Sequence, residues 1–338
     1  MTEWRTWALI GAGAIVCLSA VFIGCDGPPG TIPNGWSLEY TLGNGFPIEA
    51  VASCGDSLYL VSGEKIYEYD GDKLSVVYEA PPGTVFNDID FNGNSGWAAG
   101  NNANKGFLVH YDGAAWREVN LANDKIKNIR QVAGANDAGC WMRVSGDVPY
   151  YLGFWDGSTL RGFPEGGDPV NILFSPETGI LYCRNGEARA QRLVMTADGG
   201  KTWITEDIPA TINGFDFRFD YSSRLVAAGD GVYLLAIYYM DQEPFKNFII
   251  KRTGAPGQGK YEISFASPNA EDFGGLYSLA FNTPGRAVAV GSYTSIVYNE
   301  PRWYKEEKTS LILGKATAKP NGGFWAIRSE PSGIYYHP

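Results

Sequence analysis

The stretch Phe107-Leu-Val-His-Tyr-Asp-Gly-Ala-Ala-Trp-Arg-Glu-Val119 reads as strand, tight turn, strand. Phe107 to Tyr111 is apolar and aromatic, Asp112-Gly113 is a hairpin turn signal, and Trp116 to Val119 resumes the strand pattern. The same phrase returns at Tyr69-Asp70-Gly71, at Trp155-Asp156-Gly157 and at Thr196-Ala-Asp-Gly-Gly200. Asp70, Asp112, Asp156 and Asp198 stand 42, 44 and 42 residues apart. Weaker versions follow at Thr253-Gly254 and Tyr298-Asn299.

A period in the forties with about four short strands per unit is the signature of an all-β propeller. Seven blades are expected, with six or eight as the alternatives. The units run over about 48–80, 84–121, 126–165, 170–209, 212–267 and 271–310. The fifth is long, and its extra residues fall near Ala236-Ile-Tyr-Tyr-Met-Asp-Gln-Glu-Pro-Phe-Lys-Asn247, read as a loop insertion between the second and third strands. In the same unit Asp216, Arg218 and Asp220 alternate with Phe215, Phe217 and Phe219, a strand-like pattern whose phenylalanines should face a neighbouring blade. Residues 311–338 supply only part of a last blade. The missing outer strand stands at the other end, where Asn34-Gly-Trp-Ser-Leu-Glu-Tyr40 is built like Asp112 to Val119. The N-terminal strand is therefore expected to complete the last blade and to cover an otherwise open sheet edge. One propeller domain over residues 36–338 results.

Composition agrees with this and removes several function classes. Gly 43, Tyr 20, Phe 17 and Trp 10 against 4 Met describe turns and aromatic strands. A net charge of -10 argues against a nucleic-acid binder, which needs a basic footprint. His110 and His337 are the only histidines, so a His-based metal site or a Ser/His or Cys/His nucleophile system has almost no material. No catalytic residue, metal or cofactor is expected. Cys54, Cys140 and Cys183 cannot all pair within one domain, and each is read as a small buried hydrophobe.

Residues 8–24 are uncharged and mostly apolar, an export signal or anchor outside the fold. The junction Phe22-Ile-Gly-Cys25 resembles the bacterial lipobox, with Phe22 where Leu is usual. The resemblance implies a signal peptide over 1–24, cleavage between Gly24 and Cys25, lipidation of Cys25, and a Pro/Gly-rich tether over 25–35. An uncleaved single-pass anchor is the alternative for the same segment. The tether reaches at most ~30 Å if extended. The end of the propeller carrying the turns before the second and fourth strands should then sit near the membrane. The opposite end is left to a partner.

Thr196-Ala-Asp-Gly-Gly-Lys-Thr-Trp203 resembles the Asp-box (BNR repeat) of sialidase-like propellers. The resemblance implies a structural turn in which Thr196, Asp198, Gly200 and Trp203 are not catalytic. Sialidase chemistry would need an arginine in the first blade, and no arginine occurs between Arg5 and Arg117. Asp88-Ile-Asp-Phe-Asn-Gly93 matches the first half of a calcium loop, but Ala99 stands where a bidentate Glu belongs, so a plain hairpin is the expectation. Arg143 and Arg184 occupy matching second-strand places, which would suit either an anionic ligand or salt bridges. Tyr238, Tyr239, Met240 and Phe245 offer an aromatic surface for a partner or for packing.

The whole resembles bacterial Asp-box β-propeller lipoproteins. That resemblance implies a cell-envelope protein held to the bilayer by its N-terminal lipid. A position facing the periplasm or the outside is expected, and the role read for it is a non-enzymatic protein-interaction or assembly scaffold. A glycan-binding or polysaccharide-processing propeller is the alternative.

Overall fold

Short runs of β-branched and aromatic residues punctuated by Gly, Asn and Asp favour hairpins over helices. Among the described residues there is no helix. The computed structural model describes residues 35–43, 47–135, 139–163, 169–175, 179–185, 191–216, 224–229, 231–240, 243–267, 275–292, 294–306, 312–320, 322–329 and 332–338.

Seven four-stranded antiparallel sheets follow one another, each with strands A to D in order. Sheet I is Ala50–Cys54, Ser57–Ser62, Lys65–Tyr69 and Leu74–Glu79. Sheet II is Thr84–Asn92, Ser95–Asn102, Lys105–Tyr111 and Trp116–Glu118. Sheet III is Ile126–Gly134, Cys140–Gly146, Leu152–Trp155 and Leu160–Gly162. Sheet IV is Pro169–Ser175, Gly179–Asn185, Gln191–Thr196 and Ile204–Ile208. Sheet V is Arg224–Ala228, Gly231–Met240, Glu243–Thr253 and Lys260–Ala266. Sheet VI is Leu276–Thr283, Arg286–Gly291, Thr294–Asn299 and Arg302–Lys305. Sheet VII takes Leu313–Ala318, Phe324–Ser329 and Ser332–His337 from the end of the chain, and Ser37–Thr41 from its beginning. That N-terminal strand runs antiparallel to Ser332–His337, with Ser37 opposite Tyr336 and Thr41 opposite Gly333.

Each sheet is apolar on both faces, so alternation is muted in its middle strands. Leu58, Tyr59, Leu60 and Val61, consecutive on strand B of sheet I, are all buried. A sheet buried on two faces must lie between two neighbours. Seven clusters of buried side chains meet this demand, each drawn from two successive sheets. One of them joins sheet VII to sheet I, where Tyr69 meets Trp325 edge-on at 5.5 Å beside Leu58 and Ile334. Truncating such a buried aromatic typically costs about 3–5 kcal/mol, so these clusters hold the sheets together.

The A strands are tied to one another by polar bonds. Asp88 accepts from Val132 N (3.0 Å) and Asp90 from Gly134 N (2.8 Å), an in-register pair that sets the A strands of sheets II and III parallel. Gln131 holds Ile172 of sheet IV by both its amide atoms, at 3.0 and 3.2 Å. Ser278 accepts from Ala316 N (3.0 Å), and Ser53 donates to the Ala318 carbonyl, linking sheets VI, VII and I in the same way. With A strands parallel and sheets antiparallel, A–B and C–D turns share one end, the turn face. The B–C and D–A connections share the other, the loop face.

Two expectations are corrected in sheet V. Residues near 236–247 are not an irregular insertion. Strands B and C are lengthened into a hairpin, with Tyr238 opposite Lys246 and Met240 opposite Glu243, because continued backbone pairing satisfies groups that a loop would leave to water. Phe215–Asp216 does not belong to strand A, which begins at Arg224. It pairs with Thr211–Ile212 in a separate two-stranded ribbon, and the Phe215 ring stands 5.5 Å from Phe248. Residues 217–220, with Phe217, Arg218, Phe219 and Asp220, lie outside the described residues.

Candidate functional site

On the turn face the repeated aspartates do one job. Oδ1 of Asp70 accepts from the N–H of Asp72 and Lys73, that of Asp112 from Ala114 and Ala115, and that of Asp156 from Ser158 and Thr159, all at 2.8–3.1 Å. The glycine after each aspartate has φ between +90° and +101°, which explains why it is glycine. In Thr196–Trp203 the turn is longer. Asp198 accepts from Thr202 N (2.9 Å) and Thr202 Oγ1 (2.7 Å), and Thr196 Oγ1 bonds both Asp198 and Gly200 N. Trp203 packs across the sheet boundary on Trp141 and Phe163. The Thr202 donors hold the Asp198 carboxyl down at about 2. Because this pKa is lowered on folding, its contribution to stability is present above the ordinary aspartate range and is lost as pH falls toward 2. An Asp198→Asn variant is therefore expected to unfold at lower urea than the parent at pH 7. The gap should narrow below pH 4, and a gap that is constant with pH would refute the assignment.

A cavity of about 350 Å³ lies where the A strands meet, walled by all seven sheets. Its polar wall carries Asp88, Asp90, Gln131, Asn171 and Lys315, whereas Leu225, Val226 and Leu279, with Ser278, line the side from sheets V and VI. Asp88, Asp90 and Asn92 are strand residues that bond the backbone of sheet III, and Ala99 is buried on strand B. They form a hairpin with ties to its neighbour, in place of an ion-binding loop. Burial pushes the Asp90 carboxyl up to about 7, against the opposing Gly134 N–H bond, and the neighbouring Asp88 charge adds to the rise.

Two buried polar networks escaped the sequence reading. Glu206 on strand D of sheet IV takes a two-pronged bond from Arg252 of sheet V, Nε to Oε1 at 2.9 Å and Nη2 to Oε2 at 2.7 Å. Arg252 also donates to the Gly254 and Ala255 carbonyls, and Glu206 accepts from Gly257 N, Gly259 N and the Tyr261 hydroxyl. Glu306, which follows strand D of sheet VI, accepts from Gly35 N (3.2 Å), Trp36 Nε1 (2.8 Å), His337 Nε2 (2.8 Å) and the Ser295 hydroxyl. The segments carrying the first and last strands of the described residues thus meet on one carboxylate.

The remaining sequence candidates separate. Arg143 is half-buried on strand B of sheet III, opposite Gln131 and Leu152. Arg184 lies on strand B of sheet IV with its side chain outside the described residues, as do the side chains of Tyr238, Tyr239, Met240 and Phe245 on the sheet V hairpin. Gly24 and Cys25 lie outside the described residues altogether. Cys140 is buried and Cys54 half-buried, neither in a disulfide, and burial pushes both thiols up. The side chain of Cys183 is outside the described residues.

Neither a family model nor a curated protein matches the sequence. Solved structures do. YCF48 bound to D1 peptide superposes over 90% of this chain and 96% of its own, with TM-score 0.59 and 15% identity. The WD40 β-propeller domain of Doa1 matches over 89% and 96%, with TM-score 0.55 and 12% identity. Streptogramin B lyase matches over 89% and 97%, with TM-score 0.64 and 14% identity. The chain has a β-propeller fold.

The two ends of this propeller differ. Of the large apolar side chains that stand exposed among the described residues, Val85, Tyr151, Phe215, Tyr277 and Ile312 (37–49%) are all at the loop face, on D–A or B–C connections or the first residues of A strands. Leu38, Val76 and Ile204 lie on outer D strands. The turn face carries the aspartate turns instead.

Proposed function

We propose that this chain is a lipid-anchored cell-envelope propeller that acts as a non-enzymatic protein-interaction scaffold, with its partner on the loop face. The observation that carries the reading is the gathering of Val85, Tyr151, Phe215, Tyr277 and Ile312 on that one end. Exposed apolar side chains biased to one end favour that end as the one a partner covers. The complex of a similarly folded protein with a peptide is an analogy in its favour.

In this reading the seven sheets are the blades of one ring, sealed by Ser37–Thr41. Support comes from its pairing with Ser332–His337 and from the cluster between sheets VII and I. The Gly24-Cys25 junction supports lipidation of Cys25 and a position on the periplasmic side of either membrane or at the cell surface.

Cross-linking and affinity purification from native membranes test the proposal. A defined partner should cross-link to loop-face residues. A variant with Tyr151→Glu and Ile312→Glu should recover it at least about tenfold less, since a charge in an apolar contact is costly to desolvate. Cys25→Ala should release the protein from the membrane fraction. Cross-links confined to the turn face, or undiminished recovery by the double variant, would rule the loop face out.

One observation favours the glycan reading: Asp90, its carboxyl raised to about 7, stands beside Asp88 on the wall of the axial cavity. Polysaccharide cleavage that is lost in Asp90→Asn would establish it over the scaffold.

A further inference from the structure

A second cavity, of about 300 Å³, lies in the groove between sheets I and II toward the turn face, away from the loop face. Its walls are Tyr59 and Val77 of sheet I and Tyr111, Ala114, Ala115 and Trp116 of sheet II. Glu68 is the one charged group in the lining. Tyr59 and Glu68 are cross-strand partners on strands B and C, and the Tyr59 hydroxyl donates to Glu68 Oε1 at 2.8 Å. Among the described residues Glu68 has no basic partner. Its charge is felt nearby: burial, then Glu68, raises the pKa of both Tyr59 and Cys54. The site is also closely packed and tied by hydrogen bonds. Tyr111 and Trp116 pack at 5.3 Å, Tyr59 and Tyr111 at 6.1 Å, and Ala114 and Ala115 are held by their N–H bonds to Asp112.

We propose that this pocket takes a lysine side chain of a polypeptide partner. An uncompensated carboxylate among aromatic faces attracts an organic cation both as a charge and through the ring quadrupoles. The volume accepts an extended four-carbon stem, and Val77, Ala114 and Ala115 give that stem apolar surface. Arginine fits less well. Its guanidinium binds a carboxylate best through two parallel bonds, and Oε1 of Glu68 already accepts from Tyr59. An ammonium group needs only Oε2. The lining also holds the Tyr111 hydroxyl and the Trp116 indole N–H, but it has no cation, and the Glu68 carboxylate would repel an anion.

The test is saturation-transfer NMR and calorimetry on the full chain. The probes are N-acetyl-lysine methylamide, its ε-N-acetylated form and N-acetyl-arginine methylamide. The lysine probe should bind, and Glu68→Gln or ε-acetylation should weaken it at least about tenfold. Glu68→Gln should leave the unfolding midpoint unchanged, because the Tyr59 hydroxyl keeps an acceptor. Ala115→Leu, which fills the pocket without touching Glu68, should abolish binding independently. Absence of lysine binding, equal binding by Glu68→Gln, or equal binding of the acetylated or arginine probes would overturn the proposal.

Discussion

Replacing Arg252 with alanine is expected to destabilise the protein by about 3–5 kcal/mol, read as a shift in the urea midpoint at unchanged slope. Arg252 is 1% exposed and Glu206 8%. Removing the guanidinium leaves a carboxylate buried between sheets IV and V without its cation, and also strips two carbonyls, Gly254 and Ala255, of their donor. The penalty comes mostly from that uncompensated charge, because the desolvation cost of a buried ion pair offsets much of its attraction. A Glu206→Leu, Arg252→Leu double variant is therefore expected to recover part of the loss, although Gly257 N, Gly259 N and the Tyr261 hydroxyl then lack their acceptor. A single-variant cost below about 1 kcal/mol would mean that water reaches the pair.

Glu306→Ala is the second large effect, again about 3–5 kcal/mol, and it has a location. The 1%-exposed Glu306 carboxylate collects Gly35, Trp36, Ser295 and His337, so its loss loosens the segments that lead into Ser37–Thr41 and end Ser332–His337 at once. Hydrogen exchange should show Ser37–Thr41 and Ser332–His337 losing protection before any other strands. Uniform loss across all sheets would contradict a local clasp. Burial alone would raise the Glu306 pKa, but the bonds from His337, Ser295 and Gly35 outweigh it and hold the carboxyl below the ordinary glutamate range. With the folded value lowered, the stability it contributes is present above the unfolded value. It is lost as pH falls through the folded one. The difference between parent and variant should therefore close on acidification below about pH 4.

The two networks and the repeat were not equally readable. Asp-Gly at a steady spacing is a local signal, since the aspartate bonds N–H groups two and three residues on and the glycine supplies a positive φ. The turn face was thus legible from adjacent residues. So was the strand-like character of Trp36 to Tyr40, from its likeness to another outer strand. The long hairpin in sheet V was misread because Tyr238 to Phe245 contains Asp241, Gln242, Glu243 and Pro244, a polar break that resembles a loop. Backbone pairing on either side carried the strands through to Met240 and Glu243.

The sequence by itself determined the period, the strand-and-turn grammar and the scarcity of histidine, because each depends on residue type and near neighbours. Only the tertiary structure decided which side chains meet. Glu206 finds Arg252 46 residues away, and Trp36 finds Glu306 270 residues away. Glu68 acquires Trp116 as a pocket wall from the next sheet. Such meetings depend on strand register and on how one sheet packs against the next, and neither is written in any single stretch of chain.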